Sequence, residues 1–237
     1  MEMFLNPRKE IESLIGAGDL EGLLRKTGEL HGHFCPYVAL GVRAGYMALR
    51  ALGIERVTGM EEVVAIVETN NCFSDGVQMV TGCTFGNNAL IYRDLGKTAV
   101  TVAKRDGTAI RIDLKAEWED SFNLRYPEAH ALFERIVINR EEATQAKHER
   151  LMQLWAESSF GQLEPPEEEV FNVEHTEIEI PPFAPIFASA RCSVCGENVM
   201  ETRVRVKNGK PICMACASAD RYVLDGSGIS VEKGKLS

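Results

Sequence analysis

The sequence lacks a long hydrophobic run. None of its apolar segments reaches the roughly 18 residues that a membrane-spanning helix needs. The first ten residues, Met1 to Glu10, contain no basic segment followed by an apolar stretch, so they do not resemble a secretory signal. Together these absences predict a cytosolic protein that does not enter a membrane.

The chain also lacks an excess of positive charge. Its formal net charge is −9, which argues against non-specific binding of nucleic acid by the whole chain. The segment from Arg191 to Ala217 is the exception, with five Lys/Arg against two Asp/Glu. Contact with nucleic acid is therefore expected only through this segment.

Seven cysteines are present, although disulfides are rare in the cytosol. Four of them form two Cys-x-x-Cys pairs, Cys192/Cys195 and Cys213/Cys216, with 17 residues between the inner cysteines. This spacing predicts a zinc ribbon in which four thiolates fill the coordination shell of one structural Zn²⁺. The alternative is a pair of redox dithiols or buried thiols.

A second group of metal-ligating residues lies in His31-Gly32-His33-Phe34-Cys35-Pro36. In an extended segment His31, His33 and Cys35 would share one face, and imidazole with thiolate suits Zn²⁺ or another borderline-soft metal. Pro36 is suited to the first turn of a helix, whose N–H groups would lower the pKa of Cys35. Cys35 is thus a candidate ligand or nucleophile.

Further candidates follow a predicted strand. Cys72 lies between that strand and a helix, with Asp75 one turn further on, so both are candidate catalytic residues and Cys72 also a candidate ligand. Cys83 lies in a glycine-punctuated turn, Thr81–Asn88, whose backbone could bind an anion. For Cys83 the alternative is a small buried hydrophobe.

The pattern of elements predicts an α+β core. Two short helices within residues 8–30 precede a helix that starts at Pro36 and carries small residues at Gly41 and Gly45, so a neighbouring element should pack closely against it. A second helix is predicted from Ser74 to Thr81. Strands are predicted at residues 63–67, 89–92, 99–104 and 109–114, the last two joined by a hairpin turn. Together they predict a mixed sheet with packed helices.

Pro127 to about Glu157 reads as one long helix without internal Gly or Pro, serving as a dimer element or spacer. Two helices with a bend are the alternative. The predicted domains are an α+β core over 1–160, an acidic, proline-containing linker over 161–186, the zinc ribbon over 187–224 and a tail over 225–237. An alternating segment, 173–180, could be a strand.

These motifs resemble the FmdE family, which takes its name from a component of formylmethanofuran dehydrogenase. The resemblance covers about residues 20–155, with the ribbon as an appended domain, and rests on four segments: His31 to Pro36 with Leu40-Gly41, Cys72-x-x-Asp75-Gly76-Val77-Gln78, Thr81 to Asn87, and Leu95-Gly96-Lys97. This sequence departs from the family pattern by lacking a lysine in Gly86-Asn87-Asn88 and by having Tyr37 where glycine is usual.

The resemblance implies an intertwined dimer and a metal-capable site at His33, Cys35 and Cys72, and less firmly at His31, Asp75 and Cys83. It also implies association with a molybdenum or tungsten enzyme that reduces CO₂ to a formyl group.

Two hypotheses of different kinds follow. In the first, a homodimeric zinc-binding protein holds a second metal, expected to be Zn²⁺, in its core and works with such a redox enzyme. In the second, a dimeric regulatory or adaptor protein senses a metal and presents basic ribbons to protein or nucleic acid. An open core site favours the first and a sealed one the second. The residues leave open whether the protein is an enzyme.

Overall fold

The computed structural model describes residues 6–234. The chain divides into two compact units, one ending at Pro181 and the other beginning at Pro182. The first unit is a mixed α+β structure, and the second consists of short strand pairs around a cluster of four cysteines. The predicted fold class is confirmed. Among the described residues, no helix is long and apolar enough to cross a membrane.

Three helices precede the first strand, as the sequence predicted. They are α1 (Lys9–Ala17), α2 (Leu20–His31) and α3 (Pro36–Ala51). Asp19 caps α2 by accepting a hydrogen bond from the backbone N–H of Gly22. Pro36 opens α3, where its missing N–H removes no helical hydrogen bond.

Five strands form the sheet of the first unit, in the order β2-β1-β3-β4-β5. The strands are β1 (Val63–Val67), β2 (Leu90–Tyr92), β3 (Ala99–Lys104), β4 (Thr108–Leu114) and β5 (Phe171–Glu177). The β1–β2 pair is parallel and the other pairs are antiparallel, so the sheet is mixed as predicted. Helix α4 (Phe73–Thr81) follows β1.

The two helices α3 and α4 cross with their backbones almost in contact. A Cβ atom on Gly41 would lie 2.0 Å from the carbonyl oxygen of Phe73, and one on Gly76 would lie 2.4 Å from the carbonyl oxygen of Val38. Only glycine leaves room for this approach. The close packing that the small residues of α3 predicted is confirmed, and α4 is the element that packs there.

The predicted single helix from Pro127 to Glu157 is divided, as the alternative had it. Helix α7 (Pro127–Phe133) continues into a π-helical turn over Glu134–Ile138, and α8 (Gln145–Gly161) begins after an irregular segment. Phe133 and Trp155 lie 5.6 Å apart between ring centroids, whereas one straight helix would separate them by about 33 Å. Packing between the helices therefore overrides local helix propensity, and the segment is not a long spacer.

Before α7 run two short helices, α5 (Ala116–Asp120) and α6 (Phe122–Arg125). After α8, helix α9 (Glu167–Val170) and β5 lie in the segment 161–186 that was predicted as a linker. The alternating residues pair with β4 of the same chain, and Arg43 on α3 donates to the carbonyl oxygens of Gln162 and Pro165. This segment thus belongs largely to the first unit.

In the second unit, β6 (Ser189–Arg191) pairs with β7 (Asn198–Met200), and β8 (Val204–Lys207) pairs with β9 (Lys210–Cys213). The predicted strand from Glu201 begins three residues later, because Glu201–Arg203 form a 3₁₀ turn. Asn208 and Gly209, both with positive φ, close the predicted hairpin. A further hairpin, β10 (Arg221–Asp225) with β11 (Gly228–Glu232), crosses the predicted boundary between ribbon and tail.

Candidate metal centres

The four ribbon cysteines converge as their spacing predicted. The sulfur atoms of Cys192, Cys195, Cys213 and Cys216 all lie within 4.8 Å of one another, and those of Cys195 and Cys213 are 4.0 Å apart. Sulfurs on a tetrahedral zinc ion are about 3.8 Å apart, given a Zn–S distance of about 2.3 Å. The donor set and its spacing therefore fit one Zn²⁺ with a closed shell.

Backbone groups support this site. The N–H of Cys213 donates to the Cys192 sulfur over 3.3 Å, and the N–H of Cys216 donates to the Cys213 sulfur over 3.3 Å. Such N–H donors stabilise a thiolate, and backbone hydrogen bonds lower the pKa of Cys192 to about 6. The ribbon is thus arranged to hold cysteines in the deprotonated form that binds metal.

A second group of metal-capable side chains forms in the first unit. Ligand atoms of His31, His33 and Cys35 all lie within 4.8 Å of one another. His31 ends α2, and Cys35 is the N-cap of α3, so the tight connection between these helices brings the three together. We call these three residues the core triad.

Asp75 fixes the orientation of the His31 ring. The Nδ1 atom of His31 lies 2.7 Å from a carboxylate oxygen of Asp75, which can only accept, so Nδ1 carries the proton. The Nε2 atom is then a bare acceptor, and it is buried with no hydrogen-bond partner in the described part of the chain. A buried, unpartnered nitrogen backed by a carboxylate fits a metal-ligating histidine.

Cys72 lies beside Cys35 at the N-terminus of α4, outside the triad of mutually close ligand atoms. A hydrogen bond from the Cys35 thiol lowers the pKa of Cys72 to about 6, and the nearby His31 adds to this. The same interaction, with burial, raises the pKa of Cys35. The expectation that helix N–H groups would lower the pKa of Cys35 is therefore wrong for the thiol pair: those groups lower it only slightly, and Cys72 is the thiolate.

Cys83 belongs to neither group. Its thiol is fully buried and donates to the carbonyl oxygen of Val63 over 3.4 Å, and burial raises its pKa to about 11. The turn around it is filled by its own side chain, since Asn87 accepts from the N–H groups of Thr84 and Ala89. The structure thus favours the reading of Cys83 as a small buried hydrophobe and leaves those N–H groups without room for an anion.

The core triad opens into a cavity of about 510 Å³ that is lined by His33, Cys35 and Cys72 together with residues from four further segments. Aromatic rings supply most of the other wall: Tyr37, Phe122, Tyr126, Phe133 and Trp155. Glu119, Asp120 and His130 also line it, and Tyr37 donates a hydrogen bond to Glu119. We call this cavity the core pocket.

Sequence reasoning did not find most of these wall residues, and it assigned His130 a structural role. They are spread over residues 119–155, within segments whose pattern indicates only helix. One signal was present: Tyr37, next to Cys35, was expected to narrow a pocket, and it does line this one.

The fold and the two Cys/His groups define a zinc-binding α+β protein with a C-terminal zinc finger. Residues 30–172, more than half of the chain, match the model of the family described as "FmdE, Molybdenum formylmethanofuran dehydrogenase operon". Residues 185–222 match the prokaryotic DksA/TraR C4-type zinc finger. The chain belongs to the FmdE family and carries an appended C4 zinc finger, which confirms the resemblance.

One solved structure has a similar fold, the tungsten formylmethanofuran dehydrogenase FmdE-like protein of Syntrophus aciditrophicus. It aligns with a TM-score of 0.54 and 19% identity over 86% of this chain and 95% of that chain. A protein of Archaeoglobus fulgidus named "Probable S-adenosyl-L-methionine-binding protein" is 43% identical over 221 residues, 92% of this chain. The chain spans 58% of that relative's length.

Proposed function

We propose that the protein holds a second metal ion, Zn²⁺, on His31, His33 and Cys35 and binds a small organic ligand in the core pocket beside it. The observation that carries this proposal is the buried, unpartnered Nε2 of His31, which lies in a group of three ligand atoms within 4.8 Å of one another. The pocket makes the site open, the property that the metalloprotein hypothesis requires.

The chain's own groups have separable roles in this proposal. Asp75 holds His31 in the tautomer that leaves Nε2 bare. Cys72, with its pKa near 6, is a thiolate at neutral pH that can accept a proton or act as a nucleophile toward a ligand in the pocket. The three triad side chains leave one position of a tetrahedral shell open, and a bound Zn²⁺ would supply Lewis acidity there.

Metal content per chain tests the proposal. Plasma mass spectrometry of the wild type should give two zinc ions, and Cys35→Ala should give one. Cys83→Ala is the matched control, because Cys83 is an equally buried cysteine outside both metal groups, and it should retain two. One zinc ion in all three proteins would contradict the second metal.

Within this proposal the protein is an accessory to molybdenum or tungsten formylmethanofuran dehydrogenase-type metabolism. Support comes from the description of the family. Co-purification of the tagged protein with such a dehydrogenase from its native cells tests this role, and Cys35→Ala reports whether the core site is required. The homodimeric state and cytosolic location stay predictions, the former open to light scattering.

S-adenosylmethionine is a candidate ligand, since the relative from Archaeoglobus fulgidus that is named for binding it aligns with 92% of this chain. The pocket volume of about 510 Å³ is within the ordinary range for a small-molecule site. Calorimetric titration of wild type and of Trp155→Ala, which removes a pocket wall, tests this assignment. Binding that the substitution leaves unchanged would contradict it.

A regulatory or adaptor role through the zinc finger is the second candidate. It is favoured by the exposed basic residues of the ribbon, Arg203, Arg205, Lys207 and Lys210, and by the match to the DksA/TraR zinc finger. Replacing these four residues with glutamine should abolish capture of a nucleic acid or protein partner in a pull-down, while both metal sites stay filled. A partner that still binds this variant would contradict the role.

A further inference from the structure

The walls of the core pocket have a marked charge bias. Among the described residues that line it, none is a lysine or arginine, while Glu119 and Asp120 are both exposed carboxylates. Arg125, whose guanidinium lies 5.4 Å from the Phe122 ring centroid, is outside the lining and stacks on Trp118 at 3.4 Å. The chain therefore offers a ligand in this pocket negative charge and no fixed positive charge.

Aromatic rings form two walls of the same pocket. In one wall, Trp155 lies 5.5 Å from His33 and 5.6 Å from Phe133 between ring centroids. In the other, Phe122 lies 6.4 Å from Tyr37, nearly parallel to it, and 5.4 Å from Tyr126. Ring faces carry partial negative charge and attract organic cations, most strongly where water is excluded.

Tyr37 links the aromatic wall to the carboxylates. Its hydroxyl donates to Glu119, and both residues line the pocket. The hydrogen bond fixes the ring against Phe122 and holds the Glu119 carboxylate at the pocket wall. Carboxylate and ring faces thus point to one kind of ligand.

We infer that the core pocket selects an organic cation, an ammonium or sulfonium group carried on an apolar or planar body, and rejects anions such as phosphate esters. This inference deepens the proposed function, since it names the class of ligand for the same pocket. Metal-binding atoms of the ligand would face the triad end, and the cationic group would face Glu119, Asp120 and the two aromatic walls.

The test compares two small ions of similar shape, phenyltrimethylammonium and benzenesulfonate, by ligand-observed NMR with the full-length protein. We expect the cation to bind at least about tenfold more tightly than the anion, the range of a desolvated cation–aromatic contact with a carboxylate nearby. The double variant Glu119→Gln/Asp120→Asn should reduce that preference about fivefold or more. Glu117→Gln is the matched control, because Glu117 is exposed on the same helix α5 but does not line the pocket.

Equal affinity for the two ions, tighter binding of the anion, absence of cation binding, or a preference that survives the double substitution would each overturn the inference. Thermal melting of every variant identifies loss of fold, and the single variants Glu119→Gln and Asp120→Asn replace the double variant if it melts early. Zinc content is measured on the same samples. One zinc ion with an intact cation preference refutes the second metal alone, whereas two zinc ions without a preference refute this inference alone.

Discussion

Substitution of Gly41 by alanine tests how the helix crossing supports the core site. The new Cβ would lie 2.0 Å from the Phe73 carbonyl oxygen and 3.1 Å from the Gly76 Cα atom, and real Cβ atoms essentially never approach closer than 3.0 Å. The obstacle is backbone, so no change of rotamer relieves it. Helix α4 must therefore retreat from α3 by about 1 Å.

The magnitude combines two opposing effects. Alanine is favoured over glycine inside a helix by about 1 kcal/mol, while overpacking in a core costs about 1–3 kcal/mol. The upper end applies here, because two backbones must separate, so the free energy of unfolding should fall by about 2 kcal/mol. The retreat also carries Cys72 and Asp75, both at the start of α4, away from Cys35 and His31, so the second zinc ion should bind more weakly.

Urea denaturation and zinc content measure the two effects. Gly16→Ala is the matched control, since Gly16 also lies inside a helix but no neighbouring atom lies within 4 Å of the position of its Cβ. That control should be unchanged or more stable by up to about 1 kcal/mol. If Gly41→Ala matches it in stability and in zinc content, the close crossing does not support the site as argued.

Three further predictions concern single interactions. Asp75→Asn weakens the acceptor that orients His31, so the affinity for the core metal should fall about 10- to 100-fold in a chelator competition, and an unchanged affinity would refute the orienting role. Cys192→Ser should release the ribbon zinc and expose the second unit to protease while circular dichroism of the first unit persists; a ribbon that resists protease would contradict its dependence on zinc. Glu68 is buried and accepts two hydrogen bonds from Arg111, whose guanidinium lowers the pKa of Glu68 below its usual 4.5. The ion pair therefore stabilises the fold fully above the unfolded pKa and is lost as the pH falls through the folded pKa, so Glu68→Gln should cost about 1–3 kcal/mol at pH 7 and almost nothing below pH of about 3; an equal loss at both pH values would contradict this.

Features set by local chemistry could be predicted from the sequence. Two Cys-x-x-Cys pairs place four thiolates around one ion wherever the ribbon folds, and the sulfur distances confirm that convergence. Asp19 caps its helix through a contact three residues away. The small residues Gly41 and Gly45 predicted a close neighbour because the absence of side-chain atoms has few other uses inside a helix.

The break between α7 and α8 could not be predicted, because its cause lies in distant contacts. The segment 139–144 contains no Gly or Pro, yet Arg140 adopts a φ of 54° and the chain turns back. The contact of Phe133 with Trp155 and the ion pair of Glu128 with Arg150 stabilise the folded-back arrangement. Local propensity is worth a few tenths of a kcal/mol per residue, which such packing exceeds.

The direction of the thiol pKa shifts escaped sequence reasoning for a similar reason. The position of Cys35 before Pro36 predicts N–H groups near its sulfur, and these do act on it. Cys72, 37 residues further along the chain, has the larger effect, because the Cys35 thiol donates to it in a buried site. A sequence indicates which groups lie at helix ends, but it does not indicate which of two thiols keeps the shared proton.

The metal-capable triad and the pocket walls come from different parts of the chain, and this separation has a functional consequence. The triad depends on a five-residue segment, His31 to Cys35, and on the crossing of α3 with α4, whereas most of the wall comes from residues 119–155. Substitutions in α5, α6, α7 or α8 can therefore change the shape and charge of the pocket without altering a metal ligand. Tyr37 is the exception, because it lines the pocket two residues from Cys35 and binds Glu119. Ligand selectivity should accordingly respond to Tyr37 and the 119–155 segment, while metal affinity responds to the triad and Asp75.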